Sequence, residues 1–263
     1  MVEVSKRKSW SITESQTAVR VSSVVVAVAA AIALAGCATE ETDTDMPQAA
    51  YVALINPSAD DSRLWENAFC GGALLSETLV VTATHCLDKN TLPDVVIGRA
   101  DLCSSGDTGL RRASVRRVDG SGDASEATLL ELDRSVSLEA VPLGHPIPDA
   151  GTAIATGWGR IREAEARPCE AKEIALVEDR DRCESIITSA EASGIRPGSS
   201  TCMVPVDVDN TCVGDSGSGI FSQQQNGFRL TGITLGGTGC GADDPGLYLD
   251  TNALKSILEQ AKP

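Results

Sequence analysis

From about residue 50 onward the chain is a succession of short apolar runs, each bounded by Gly, Pro, Asp or Ser. Residues 51–55, 73–82, 94–98, 114–118, 128–132, 152–156, 174–177, 219–222, 228–235 and 247–249 are β-prone, and each run predicts a strand. Many short strands with turn residues between them predict an all-β architecture, as a sandwich or as barrels. The span is too long for one small barrel, which favours two. Helical spacing is clear at one place: Leu254, Ile257, Leu258 and Ala261 stand at i, i+3, i+4 and i+7 and predict a helix that closes the chain.

The N-terminal segment has another pattern. Lys6, Arg7, Lys8 and Arg20 precede an uncharged apolar stretch, 21–36, that ends in Leu34-Ala35-Gly36-Cys37. A basic start, an apolar middle and small residues at the end predict a signal peptide over 1–36. Leu-Ala-Gly-Cys resembles the bacterial lipobox, which implies cleavage before Cys37 and lipidation of that residue. The competing expectation is a plain membrane anchor, because 21–39 carries no charge. Residues 37–50 are polar and acidic and predict a solvated tether, leaving 51–263 as the folded domain. The expected location is outside the cytoplasm, in a bacterial cell envelope through an N-terminal lipid anchor, or secreted.

Composition narrows the chemistry. A formal net charge of −15 over 263 residues supplies too few cations to neutralise phosphates, so no nucleic-acid partner is expected. With 2 His and no HExxH or CxxC run, no metal site and no cofactor are expected. Of the 9 Cys, Cys37 is the lipidation candidate; the even remainder, Cys70, Cys86, Cys103, Cys169, Cys183, Cys202, Cys212 and Cys240, predicts disulfides formed in an oxidising compartment.

Three segments carry the candidate chemistry. Phe69-Cys70-Gly71-Gly72-Ala73-Leu74 leads into Val80-Val81-Thr82-Ala83-Thr84-His85-Cys86, and Cys212-Val213-Gly214-Asp215-Ser216-Gly217-Ser218-Gly219 comes much later. Gly157-Trp158-Gly159 lies between them, and Gly232-Ile233-Thr234-Leu235-Gly236-Gly237 and Pro245-Gly246-Leu247-Tyr248 follow. A Ser hydroxyl is a weak nucleophile that needs a neighbouring base, and His titrates near operating pH. The ordered set resembles the chymotrypsin/trypsin-like serine protease family over 51–261. The resemblance implies two antiparallel Greek-key β-barrels with a C-terminal helix, and a monomeric endopeptidase that takes protein or peptide substrates. It implies Ser216 as nucleophile, His85 as general base, and the N–H groups of Gly214 and Ser216 as an oxyanion hole, a type of contact worth about 3–4 kcal/mol per donor. It also implies the pairs Cys70–Cys86, Cys183–Cys202 and Cys212–Cys240, with Cys103 and Cys169 left to each other. His145, in Gly-His-Pro, is expected on a surface loop.

Where the sequence departs from the family pattern, the expectations change. Glu126, in Glu-Ala-Thr-Leu-Leu-Glu-Leu, takes the triad-acid position, with Asp123 as the alternative. Leu235 and Gly236 replace the Ser and Trp that usually stand beside that acid. No Ile/Val-Val-Gly-Gly run precedes Tyr51 to supply the ammonium that pairs with Asp215 in the family; Arg160 and Arg162 are candidate substitutes, and the alternative is a loop that stays in a zymogen-like arrangement. Ser218-Gly219 stands where Gly-Pro is common, a minor change. The specificity pocket maps to Asn210 and Thr211 at the base and Gly237 and Gly246 on the walls, which predicts an open pocket for an uncharged polar or bulky side chain. Two other readings stand beside the endopeptidase: a catalytically impaired pseudoprotease acting as an envelope binding module, and a narrow esterase-like or self-cleaving activity.

Overall fold

The computed structural model describes residues 45–57, 61–87, 92–103, 111–113, 115–117, 126–192 and 199–261. All fall within Thr42–Pro263, the second of two units into which the chain divides. The signal-type segment, Cys37 and Asp123 lie outside the described residues. Among the described residues no helix is long and apolar enough to cross a membrane.

The first half holds β1 (Val52–Ile55), a short α1 (Leu64–Asn67), β2 (Ala68–Gly71), β3 (Ala73–Ser76), β4 (Leu79–Ala83), β5 (Asp94–Ile97), β6 (Arg111–Ala113), β7 (Val115–Arg117) and β8 (Ala127–Leu132). The second holds β9 (Thr152–Gly157), β10 (Lys172–Glu178), α2 (Arg180–Ala192), β11 (Ser200–Pro205), β12 (Gly219–Gln224), β13 (Gly227–Gly237), β14 (Gly246–Asp250) and α3 (Thr251–Gln260). Strands β9–β14 form a closed barrel in the order β10-β11-β14-β13-β12-β9. Strands β1–β8 form two four-stranded sheets, β2-β1-β5-β6 and β3-β4-β8-β7.

Those two sheets belong to one ring. Only Gly72 separates β2 from β3, and one position separates β6 from β7. A Cβ on Gly72 would stand 2.9 Å from Val80 Cγ1 and 3.0 Å from Val52 Cγ1, so the corner where the strand changes sheets has no room for a side chain. Read through both junctions, the first barrel has the same cyclic order as the second. In each, the third strand in sequence pairs with the sixth instead of the fourth, which is the Greek-key crossover. The ladders are antiparallel in both halves.

A single apolar cluster runs through both barrels. It joins Val52, Leu54, Val81 and Leu129 of the first to Phe221, Leu230, Ile233 and Leu249 of the second, with Leu254 and Ile257 of α3 packed on it. Full burial of each such side chain is worth about 1.5–3 kcal/mol, and the continuity docks the barrels. Polar ties reinforce the seam: Ala171 N–H donates to Ala100 O at 2.7 Å, Leu102 N–H to Cys169 O at 3.0 Å, and Thr156 Oγ1 to Ala50 O at 2.9 Å. The Trp158 indole N–H lies 3.1 Å from both Ala100 O and Cys169 O.

The closing helix forms as expected, its apolar face on the core and Asp250 capping its start through a 2.9 Å bond from Ala253 N–H. Three expectations change. The single run 73–82 is a hairpin, because Glu77-Thr78 turns the chain between β3 and β4. Strands β2, β6 and β11 and helix α2 stand where no element was expected. The folded domain also starts earlier than Tyr51: Ala49 and Ala50 are buried and Met46 packs on the same core, so the end of the expected tether belongs to the first barrel.

Candidate active site

His85 sits in a single 3₁₀ turn, Thr84–Cys86, directly after β4. The turn is fixed on two sides: Thr84 N–H donates to Glu126 O at 2.8 Å, and Cys86 is disulfide-bonded to Cys70 of β2. Ser216 sits in the loop that leads from β11 into β12 and is held by backbone bonds from both barrels. Gly71 N–H of the first donates to Ser216 O at 2.8 Å, and Gly217 N–H donates to Thr234 O of the second at 2.7 Å. Gly217 has φ +84°, and a Cβ there would stand 2.3 Å from Thr82 Oγ1 and 2.4 Å from Gly71 O, so only glycine lets the loop lie this close to the first barrel.

The two residues face one cleft of about 420 Å³ at the seam. Phe69, Cys70 and His85 line it from the first barrel; Thr211–Gly214, Ser216, Thr234 and Gly236–Cys240 line it from the second, with Glu163 at its edge. The Ser216 hydroxyl donates a long 3.4 Å bond to Leu235 O, and His85 forms no hydrogen bond among the described residues. His85 keeps an exposed surface, yet burial of its ring lowers its pKa from the ordinary value. The N–H groups of Gly214 and Ser216 donate to no acceptor among the described residues. Glu126 immediately precedes β8 beside the His85 turn, half-buried, and its carboxylate forms no hydrogen bond among the described residues. Leu235 is packed into the core.

Asp215, between Gly214 and Ser216, is fully buried. Its Oδ1 accepts from Gly159 N–H at 2.7 Å, and its Oδ2 accepts from Cys212 N–H at 2.9 Å and from Lys172 Nζ at 2.6 Å. Glycines flank the carboxylate of necessity: a Cβ on Gly157 or Gly159 would come within 2.3 Å of its oxygens. This packing is the physical reason for Gly-Trp-Gly. The expected partners of Asp215 are engaged elsewhere, Arg160 on Glu163 O and Arg162 on Glu165, so the cation is Lys172. Nothing in the sequence around Lys172 marks it, since its partner lies on a distant loop.

The pocket floor also differs from expectation. Thr211 and Gly237 line the cleft; Asn210 and Gly246 do not. Asn210 is buried and its amide is fully engaged, donating to Gly241 O at 2.9 Å and Asp244 O at 2.8 Å and accepting from Thr211 N–H at 2.7 Å. It braces the 241–244 loop, and Thr211, which does line the cleft, has its Oγ1 3.0 Å from the buried Tyr248 OH. Gly246 is buried against Tyr248, with the phenol oxygen 2.6 Å from where its Cβ would stand. Gly236 faces open space. The disulfides are Cys70–Cys86, Cys103–Cys169, Cys183–Cys202 and Cys212–Cys240.

Known proteins carry the same pattern. The chain is 29% identical over 203 residues to "Trypsin alpha-4" of Lucilia cuprina, covering 73% of this chain and 77% of that protein. It is 28% identical over 208 residues to a "Trypsin-like protease" of Streptomyces glaucescens, covering 73% and 74%. It is 27% identical over 212 residues to "Protein masquerade" of Drosophila melanogaster, covering 73% of this chain and 20% of that much longer protein. The Trypsin family model matches residues 42–258, which span both barrels and every element of the cleft, and the chain belongs to the trypsin family.

Proposed function

We propose that the protein is a serine endopeptidase that hydrolyses peptide bonds through an acyl-enzyme on Ser216. The observation that carries this reading is the meeting of His85, Ser216 and two unengaged N–H groups, Gly214 and Ser216, on one cleft. Ser216 Oγ attacks the peptide carbonyl carbon while His85 takes its proton. The tetrahedral oxyanion faces the Gly214 and Ser216 amides, the C–N bond breaks as His85 returns the proton to the leaving amine, and water then repeats the sequence on the ester. Glu126 is the acid of the set, a reading supported by the bond its backbone carbonyl accepts from Thr84 N–H, next to His85 in the chain. The Thr211 side chain on the cleft lining carries no charge, which suits an uncharged substrate side chain. Four disulfides suit an oxidising compartment, and with the signal-type N-terminus we place the domain outside the cytoplasm, lipid-anchored at Cys37 or secreted.

A second reading has a specific observation behind it. The resting Ser216 hydroxyl points at Leu235 O while His85 has no hydrogen bond to an acid among the described residues, which fits a binding module that keeps the fold without turnover. A fluorophosphonate separates the two. The protease takes up one phosphonyl group per chain by intact mass, and Ser216→Ala takes up none. A folded wild type that stays unmodified both uncut and after cleavage ahead of residue 51 identifies the binding module.

A further inference from the structure

We propose that Lys172 sets the catalytic loop, so that the uncut chain already carries a formed oxyanion site; the proposal rests on the protease reading above. Lys172 is the first residue of β10, paired with Gly157 of β9, so its stem is fixed by the second barrel. Its side chain is only 10% exposed, and its ammonium has one acceptor for each of its three protons. These are Asp215 Oδ2 at 2.6 Å, Arg160 O at 2.9 Å and Asn210 O at 3.3 Å. One cation thereby ties together the segment after Gly-Trp-Gly, the residue that braces the 241–244 loop, and the turn that holds the nucleophile.

Asp215 shares a peptide unit with one oxyanion donor and is the chain neighbour of the other. The Asp215–Ser216 peptide carries the Ser216 N–H, and the Gly214 N–H lies in the Val213–Gly214 peptide, one residue back. A carboxylate buried without a counter-charge is strongly disfavoured, and an aspartate deprived of its cation turns toward water. Turning Asp215 outward rotates the Asp215–Ser216 peptide directly and the Val213–Gly214 peptide through Gly214, and takes the Ser216 and Gly214 N–H groups off the position of the developing charge. Loss of Lys172 is therefore read in transition-state stabilisation more than in occupancy of the cleft. Arg167 lies behind the same loop, its Nε 3.1 Å from where a Cβ on Gly214 would stand, but it forms no hydrogen bond to Asp215; the directed contact belongs to Lys172. Because the counter-charge is an internal side chain, the arrangement calls for no newly liberated terminus. Lys172 is a positioning residue, acting through Asp215.

The test uses the full chain, its uncut state checked by intact mass, and follows saturable fluorophosphonate inactivation. The comparison includes wild type, Lys172→Met, Lys172→Arg, Asp215→Asn and the double variant Lys172→Met/Asp215→Asn. Wild type forms its adduct on the uncut mass. Lys172→Met lowers the maximal inactivation rate about 100-fold, the scale of one lost oxyanion donor, while the half-saturating concentration changes by no more than about threefold. Lys172→Arg, which keeps the charge, recovers to within about tenfold of wild type. The double variant, with no buried charge left to expel, reacts at least about tenfold faster than Lys172→Met, or folds where Lys172→Met does not. A folded Lys172→Met that reacts at the wild-type rate overturns the proposal and leaves the protease reading standing. So does an adduct found only on chains cut ahead of residue 51, or a double variant no better than Lys172→Met. A wild type inert both cut and uncut overturns both.

Discussion

His85 illustrates how much of a site's chemistry is set by what a side chain lacks. Its imidazole is partly dehydrated at the barrel seam, and burial lowers its pKa below the ordinary 6.5. A base with a lowered pKa stays neutral into more acidic solution, so Ser216 reactivity persists below pH 6.5 and is lost only as pH falls through the lowered value. The expected result is an acid limb of the fluorophosphonate rate centred below 6.5; a limb centred above 6.5 would show a carboxylate governing the ring instead. At this scale the sequence is unevenly legible. The placing of His85, Ser216 and Gly214 on one cleft is readable because it depends on neighbours one or two positions away: a disulfide partner beside the His, and glycines that let the loop approach the first barrel. Lys172 and Asn210 are not readable, because what defines them is a hydrogen bond across the barrel to Asp215, Gly241 and Asp244. An Asn at a pocket-floor position looks like a specificity residue until its whole amide is found engaged by backbone.

Among the elements, strands with apolar alternation or continuous apolar runs are the legible ones, and those held by partners are not. Strand β2 contains Phe69-Cys70-Gly71, too short and too glycine-rich to announce itself, yet β1 pairs along it. Helix α2 carries charged and small residues around its circumference; Cys183 is buried on it, and the Cys183–Cys202 disulfide to β11 anchors it where packing alone is thin. Helix α3 shows the opposite case, with an apolar stripe and a cap both written locally. Asp250→Ala removes the bond to Ala253 N–H and is expected to cost about 1 kcal/mol. Denaturant unfolding reads this as a lower midpoint at unchanged slope, with Ser216 reactivity in native buffer retained.

For the whole molecule, the disulfide with the longest reach is the one between barrels. Cys103 and Cys169 are separated by 66 residues in sequence, and closing such a loop in the unfolded chain is worth about 4 kcal/mol by chain-entropy arithmetic. It stands beside the Ala100–Ala171 and Leu102–Cys169 backbone bonds, so it clamps the seam and not either core. The double variant Cys103→Ser/Cys169→Ser is expected to keep both barrels and unfold at lower denaturant. Its Ser216 reactivity should fall before its circular dichroism does, because the cleft depends on how the barrels dock. Coincident loss of both signals would mean that the apolar cluster alone fixes the docking. The repeated strand order has a further consequence when the chain is considered as it is made. The first barrel, with His85, is complete in sequence long before Ser216, Lys172's partner loop or the Gly236–Cys240 wall exists. A growing chain therefore holds one side of a cleft and nothing for it to act with. Whatever the finished molecule does at that seam, it cannot begin until the second barrel has been made and docked on the first.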